Sequence, residues 1–179
     1  PSNGILPLRE AVSQYIFSNY KVEVNPDNIL ITPGGKPVIF FAALIFGEEG
    51  SEIIYPDPGF PIYRSMIKYS GAKPVALNLK EENNFAVDIE DPEKLINNKT
   101  RLIILNNPNN PTGSFMDEKE INNLVRVLEK FPQIAILSDE IYSKIIFDNK
   151  KMPSLLKYES ILARLIIPEG CSHTFCMTG

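Results

Sequence analysis

Histidine is nearly missing from this sequence: His173 is the single one in 179 residues. Cysteine is almost as scarce, with Cys171 and Cys176 the only two. A zinc site draws about four ligands from these residue types and carboxylates, so one histidine and one cysteine pair do not make a convincing one, and no metal site is expected. The two cysteines read as reduced thiols with a structural, core-filling role in a cytoplasmic protein. A disulfide and a ligand pair are the competing readings. No apolar run is long enough to cross a bilayer. The opening "PSNGILPLRE" has neither the basic start nor the apolar stretch of a secretory signal, and it does not begin with Met, as expected of a fragment or a processed product. Positive charge is in deficit, with 18 Lys and Arg against 22 Asp and Glu for a net charge of −4. That balance argues against bulk attraction to nucleic acid or an anionic membrane. Internal repeats and low-complexity tracts are also missing.

What is present is an ordinary globular composition, 44% apolar and 22% charged, in a chain long enough for one domain with a real core. Short β-rich runs alternate with longer amphipathic ones. "LPLREAVSQYIFSNY" places Leu8, Val12, Tyr15, Ile16 and Tyr20 at helical spacing. "KPVIFFAALIF" is apolar nearly all round and reads as a buried helix, with Pro37 tolerated in its first turn. "FPIYRSMIKYSG" reads as a helix stopped by Gly71, and "DPEKLINN" as a short helix with Asp91 as N-cap and Pro92 following. "MDEKEINNLVRVLEKF" is a helix with Asp117 as N-cap. "NILIT", "SEIIYP", "KPVALNL", "RLIIL", "QIAILSD" and "ARLIIPEG" read as strands, and "RLIIL" is the kind buried on both faces. The alternation predicts an α/β domain, a three-layer α/β/α sandwich on a mainly parallel sheet. Ligands of such sheets sit at the carboxyl ends of the strands.

Four strand ends carry distinctive loops. "PGGKP", Pro33 to Pro37, precedes a helix; glycines and free N–H groups there suit a phosphate, or make a plain tight turn. It lacks the spacing of a P-loop. "DPGFPIY" presents Phe60 from a proline-stiffened loop, either to stack on a planar ligand or simply to pack. "NNPNNPTG" offers carboxamides to a ligand oxygen, or turn chemistry. In "SDEIY", Asp139 ends a buried strand and must be paired. It suits a metal, a protonated ring nitrogen, or the N-cap of a following helix. Tyr142 faces the same ligand if a helical turn begins there.

Together "LPLREAV", "TPGGKP", "YPDPGFPIY", "NNPNNPTG", "SDEIY" and "SHTFCMTG" resemble the class I/II aminotransferases, the fold-type-I enzymes that use pyridoxal 5'-phosphate. The combination is far more specific than any one piece, covers nearly the whole chain, and is most similar to bacterial aspartate-aminotransferase-like members. The resemblance implies that residues 1–179 are the cofactor-binding large domain of a longer homodimeric protein. The N-terminal arm, the small C-terminal domain, two arginines and one antiparallel strand of the sheet would then lie outside the chain. It implies amino-group transfer between an amino acid and a 2-oxo acid. A carbon–sulfur lyase of the same fold, a non-catalytic holder of the pyridoxal or pyridoxamine form, and a domain that has lost its ligand are the other readings. The roles it implies put Gly35 and Lys36 at the cofactor phosphate and Phe60 on the pyridine ring. Asn110 and Tyr142 go to the ring hydroxyl oxygen, and Asp139 to the ring nitrogen with Tyr63 behind it.

The sequence departs from the family pattern at one place. Where that pattern has Ser-Lys, this chain has Ser172-His173. The family's lysine forms the Schiff base and shuttles a proton. Neither imidazole nitrogen is a primary amine, so His173 cannot form a stable imine, though it can carry a proton. Negligible turnover is therefore expected of the chain as given.

Overall fold

A computed structural model describes residues 2–88 and 90–178. Five parallel strands form one sheet: β1 (Glu52–Asp57), β2 (Lys73–Asn78), β3 (Thr100–Asn106), β4 (Ala135–Asp139) and β5 (Leu165–Ile166), in the order β2-β1-β3-β4-β5. The seven α-helices among the described residues are α1 (Leu6–Tyr20), α2 (Lys36–Phe46), α3 (Ile62–Tyr69), α4 (Glu90–Leu95), α5 (Glu118–Glu129), α6 (Glu159–Leu162) and α7 (Cys171–Thr174).

Strand periodicity explains the layering. Along β3, Leu102 and Ile104 point to one face and Ile103 and Leu105 to the other, and all four are buried. One face packs Ile39 and Ala42 of α2 with Tyr63 and Ile67 of α3. The other packs Ile121, Leu124 and Leu128 of α5 with Ile161 of α6. The result is the α/β/α sandwich that the alternation predicts. Each fully buried Ile or Leu in these layers contributes about 1.5–3 kcal/mol relative to exposure. α5 starts as its sequence suggests: Asp117 accepts from the Glu120 N–H at 2.8 Å and Glu120 accepts from the Asp117 N–H at 2.7 Å, a complete capping box.

Several elements differ from the sequence reading. "NILIT" is not a strand among the described residues. A strand needs a hydrogen-bonded neighbour, and here the other backbone bonds of the segment are local turns, while Ile31 N–H to the Asn3 carbonyl is the one given to a distant partner among the described residues. α2 is not buried all round. Ile39, Ala42 and Ala43 face the sheet, while Phe41, Leu44 and Ile45 are exposed, Ile45 at 73%, because nothing described packs on the outer face. Asp91 lies inside α4 rather than capping it; Asp88 Oδ1 accepts from the Glu90 N–H at 3.1 Å and takes over the capping task. Ile89 lies outside the described residues. On α1 the expected apolar face is only partly covered, since Leu8 is exposed, and the buried residues are Arg9 and Tyr20. Arg9 donates to Asp27 at 2.9 Å, to the Pro26 carbonyl at 2.8 Å and to the Gly4 carbonyl at 3.2 Å, stapling α1 to the turn at Pro26–Asn28.

Candidate functional site

Sheet topology decides where the loops meet. From β1 the chain moves outward to β2, then back across to β3, so the order reverses between β1 and β3. A crevice opens outside the carboxyl ends of strands at such a point. The loops after β1, β3, β4 and β5, together with the start of α2, line one cleft of about 410 Å³ there. Its size is in the range that takes a small-molecule ligand.

Every residue singled out from the sequence reaches this cleft: Gly35 and Lys36 at the start of α2, Phe60 after β1, Asn110 after β3, Asp139 and Tyr142 at the end of β4, and His173 on α7. At the α2 end, Gly34 has φ +86°, which the turn requires and a side chain would resist. No side chain caps α2; Pro37 has no N–H and the Val38 N–H bonds the Gly35 carbonyl, which leaves the Gly35 and Lys36 N–H groups available to an anion. Ile141 packs close to both Gly35 and Gly170, and a Cβ at Gly170 would come within 2.9 Å of its Cδ1. That wedge joins the α2 turn, the β4 loop and the approach to α7.

Asp139 is the electrostatic centre. It is 5% exposed, and Tyr63 Oη donates to its Oδ2 at 2.6 Å. Burial pushes the carboxyl above the usual carboxylate range, against the opposing pull of the Tyr63 hydrogen bond, the Ile141 N–H and the nearby His173. Burial and the Asp139 charge push the Tyr63 phenol upward, so it stays a donor. A buried carboxylate with no cationic side chain bonded to it is well placed to accept a cation. No group of three or more His, Cys, Asp or Glu able to hold a metal exists among the described residues.

Asn110 Nδ2 donates to Tyr142 Oη at 3.2 Å, so the two polar tips expected to share a ligand oxygen converge on one point. Phe60 does both things its loop allows: it lines the cleft and packs edge-on against Tyr63, with ring centroids 5.9 Å apart. The N-cap reading of Asp139 fails, because turns rather than a helix follow: Ser143 N–H bonds the Glu140 carbonyl and Ile145 N–H bonds the Tyr142 carbonyl. Those turns still bring Tyr142 to the cleft. His173 is exposed at the lip. Its ring stands edge-on to Tyr142 at 5.2 Å and 88°, and its Nδ1 is 2.8 Å from Ser172 Oγ. Cys171 and Cys176 are free but exposed, so they are not core residues; both sit on the α7 loop, outside the packed layers.

Sequence reasoning missed Asn106. This buried last residue of β3 donates from Nδ2 to the Asp139 carbonyl at 3.0 Å and accepts the Asn110 N–H at 2.7 Å. It thereby fixes two loops at once. The signal was available: a carboxamide ending an apolar buried strand must be paired, the same argument that singled out Asp139.

The family profile described as "Aminotransferase class I and II" matches residues 1–179. The chain belongs to that family. Among relatives of this aminotransferase chain, the aspartate aminotransferase of Sulfolobus acidocaldarius is 36% identical over 98% of the chain and 44% of its own length. The probable aspartate aminotransferase of Methanocaldococcus jannaschii is 36% identical over 100% of the chain and 46% of its own. The chain therefore spans somewhat under half the length of these relatives. Among solved structures, the aromatic aminotransferase of Pyrococcus horikoshii superposes with a TM-score of 0.93 at 29% identity, covering 100% of this chain and 48% of that one. The aspartate aminotransferase of Rhizobium meliloti does so with a TM-score of 0.94 at 25% identity, over 99% of this chain and 45% of that one. The similarity to aspartate aminotransferases is thus archaeal as well as bacterial.

Proposed function

We propose that residues 1–179 form the cofactor-holding domain of a protein that transfers amino groups between amino acids and 2-oxo acids, and that the cleft takes pyridoxal 5'-phosphate. The observation that carries this reading is Asp139, buried against Tyr63 in the same cleft as the uncapped, glycine-led start of α2. A cation and an anion on one ligand would answer the two ends. Pyridoxal 5'-phosphate offers a ring nitrogen that can be protonated and a phosphate, and when bound it supplies an electron sink for carbanion chemistry.

Each residue then has a task. Asp139, held by Tyr63, keeps the ring nitrogen protonated, and that charge pair offsets the cost of its burial. The N–H groups at Gly35 and Lys36 meet the phosphate. Phe60 flanks the ring plane. Asn110 and Tyr142 take the ring oxygen between them. The domain works as part of a cytoplasmic homodimer. His173 supplies no primary amine, so the chain as given holds its cofactor reversibly and turns over negligibly.

Calorimetric titration with pyridoxal 5'-phosphate tests the cradle. Asp139→Ala should weaken binding at least tenfold, the lower end of what a buried charge-assisted contact is worth (about 1.5–3 kcal/mol). Equal affinity for the natural chain and this variant would refute the assignment of Asp139.

A further inference from the structure

We propose that His173 makes this cleft select the aminomethyl form of the pyridine cofactor over the formyl form, and hold either one without a covalent bond. This rests on the cofactor reading above, and goes beyond it by assigning the specificity to one residue of this chain.

A formyl group becomes a strong anchor only where a primary amine can condense with it. Lys36 is the one primary amine among the described residues that line the cleft, and it stands at the first residue of α2, on the anion-binding side. On the wall beside Tyr142 the corresponding group is an imidazole. The formyl form therefore gains no covalent anchor from that wall.

The aminomethyl form gains an acceptor there. With the ring nitrogen at Asp139 and the ring oxygen between Asn110 and Tyr142, the carbon next to the oxygen-bearing one carries the variable substituent. That substituent would point away from Asp139, and His173, edge-on to Tyr142, would be the side chain placed to meet it. There an ammonium needs acceptors. The 2.8 Å contact between Ser172 Oγ and His173 Nδ1 fixes the ring. With Nδ1–H donating to Ser172, the other ring nitrogen offers its lone pair to the ammonium. A lysine at this place would set a second positive charge against the first. The imidazole replaces that repulsion with an acceptor.

The test needs no variant to begin. The natural chain is titrated calorimetrically with pyridoxamine, pyridoxal and pyridoxine 5'-phosphates, which differ only in the substituent facing His173. Pyridoxamine 5'-phosphate should bind about tenfold more tightly than the other two, the worth of one charge-assisted hydrogen bond. Because His173 is the single histidine, its ring resonances are unambiguous in an NMR spectrum, and they should move with the aminomethyl form more than with the hydroxymethyl form. Borohydride added to the pyridoxal complex should leave the mass unchanged. His173→Ala should level the three affinities, and His173→Lys should reverse the preference and give a borohydride-fixed adduct at residue 173. Tighter binding of the formyl form by the natural chain, or an adduct at Lys36, would overturn the proposal. Three equal affinities that Asp139→Ala abolishes would overturn the selection and leave the cofactor reading standing. No binding by any of the three would overturn both.

Discussion

Tyr63 and Asp139 meet across 76 residues of sequence, and neither residue is explained without the other. The carboxyl is buried, so its charge is costly, and the phenol donates to it. Tyr63→Phe removes that donation and leaves a buried acceptor short of a partner. It should lower stability by about 1–3 kcal/mol, seen as a lower urea midpoint at an unchanged m-value, and should weaken pyridoxal 5'-phosphate binding in parallel. A variant as stable as the natural chain would show that the contact carries no such weight. Glu140, the next residue, is 0% exposed and faces the other way. Its Oε1 accepts from Ser138 Oγ at 2.9 Å and from the Leu155 N–H at 3.1 Å, while Oε2 has no partner. Burial, assisted by the negative charge of Glu169, pushes its carboxyl up to about 7 from an ordinary 4.5. The folded state thus holds a proton that the unfolded state releases. The stabilisation is complete below pH about 4.5 and is lost as pH rises through about 7, an effect on the order of 3 kcal/mol. Urea midpoints measured from pH 4.5 to 8 should fall accordingly, with the raised Asp139 adding to the slope in the same sense. Glu140→Gln should remove the Glu140 share of it. An identical slope in that variant would exclude Glu140 as the titrating group.

Among the elements, helix ends divide: the Asp117 cap of α5 agrees with the sequence reading, and the Asp91 cap of α4 does not. Asp117 was legible as an N-cap because its partner is local, and the structure adds the return bond from Glu120 three residues on that completes a capping box. Asp117→Ala should cost about 1 kcal/mol of stability and leave cofactor affinity unchanged, since α5 lies on the face of the sheet away from α2 and α3. A loss of affinity would mean that the α5 face communicates with the cleft. Gly34 is legible in a different way: its turn needs a positive φ, and no atom lies within 4 Å of an added Cβ. Gly34→Ala therefore tests conformation without a clash. It should cost about 1–2 kcal/mol and weaken phosphate-bearing ligands more than ring fragments without phosphate, compared by calorimetry. The misread elements failed for a shared reason. An apolar run such as "KPVIFFAALIF" states that surface wants cover, not that cover is present, and "NILIT" has strand composition without a strand to pair with.

For the whole molecule, the cleft is built from the start of α2 and from the ends of β1, β3, β4 and β5. Ligand binding is then linked to global unfolding rather than to one loop. Pyridoxal 5'-phosphate at a hundred times its dissociation constant should stabilise the chain by about 2.7 kcal/mol, a rise in Tm of roughly 5–10 °C for a chain of this size. At the same ligand concentration a tenfold weaker Asp139→Ala should show only about half of that rise. Binding without any rise would mean that the ligand sits on a part that unfolds independently.

The sequence by itself determined the alternation of elements, the α/β class, and the identity of the residues at the strand ends, including the imidazole at position 173. These follow from patterns a few residues long: short apolar β-rich runs, helical spacing, caps and turns. Only the tertiary structure decided that Asn106 ties two loops together, that Arg9 staples α1, and that the outer face of α2 is bare. It also decided that Asp139 and the glycine turn open into one cleft. The strand order and the partners of buried polar groups join residues tens of positions apart. No local pattern encodes which distant group will satisfy a given donor, because that is settled only when the chain closes its core.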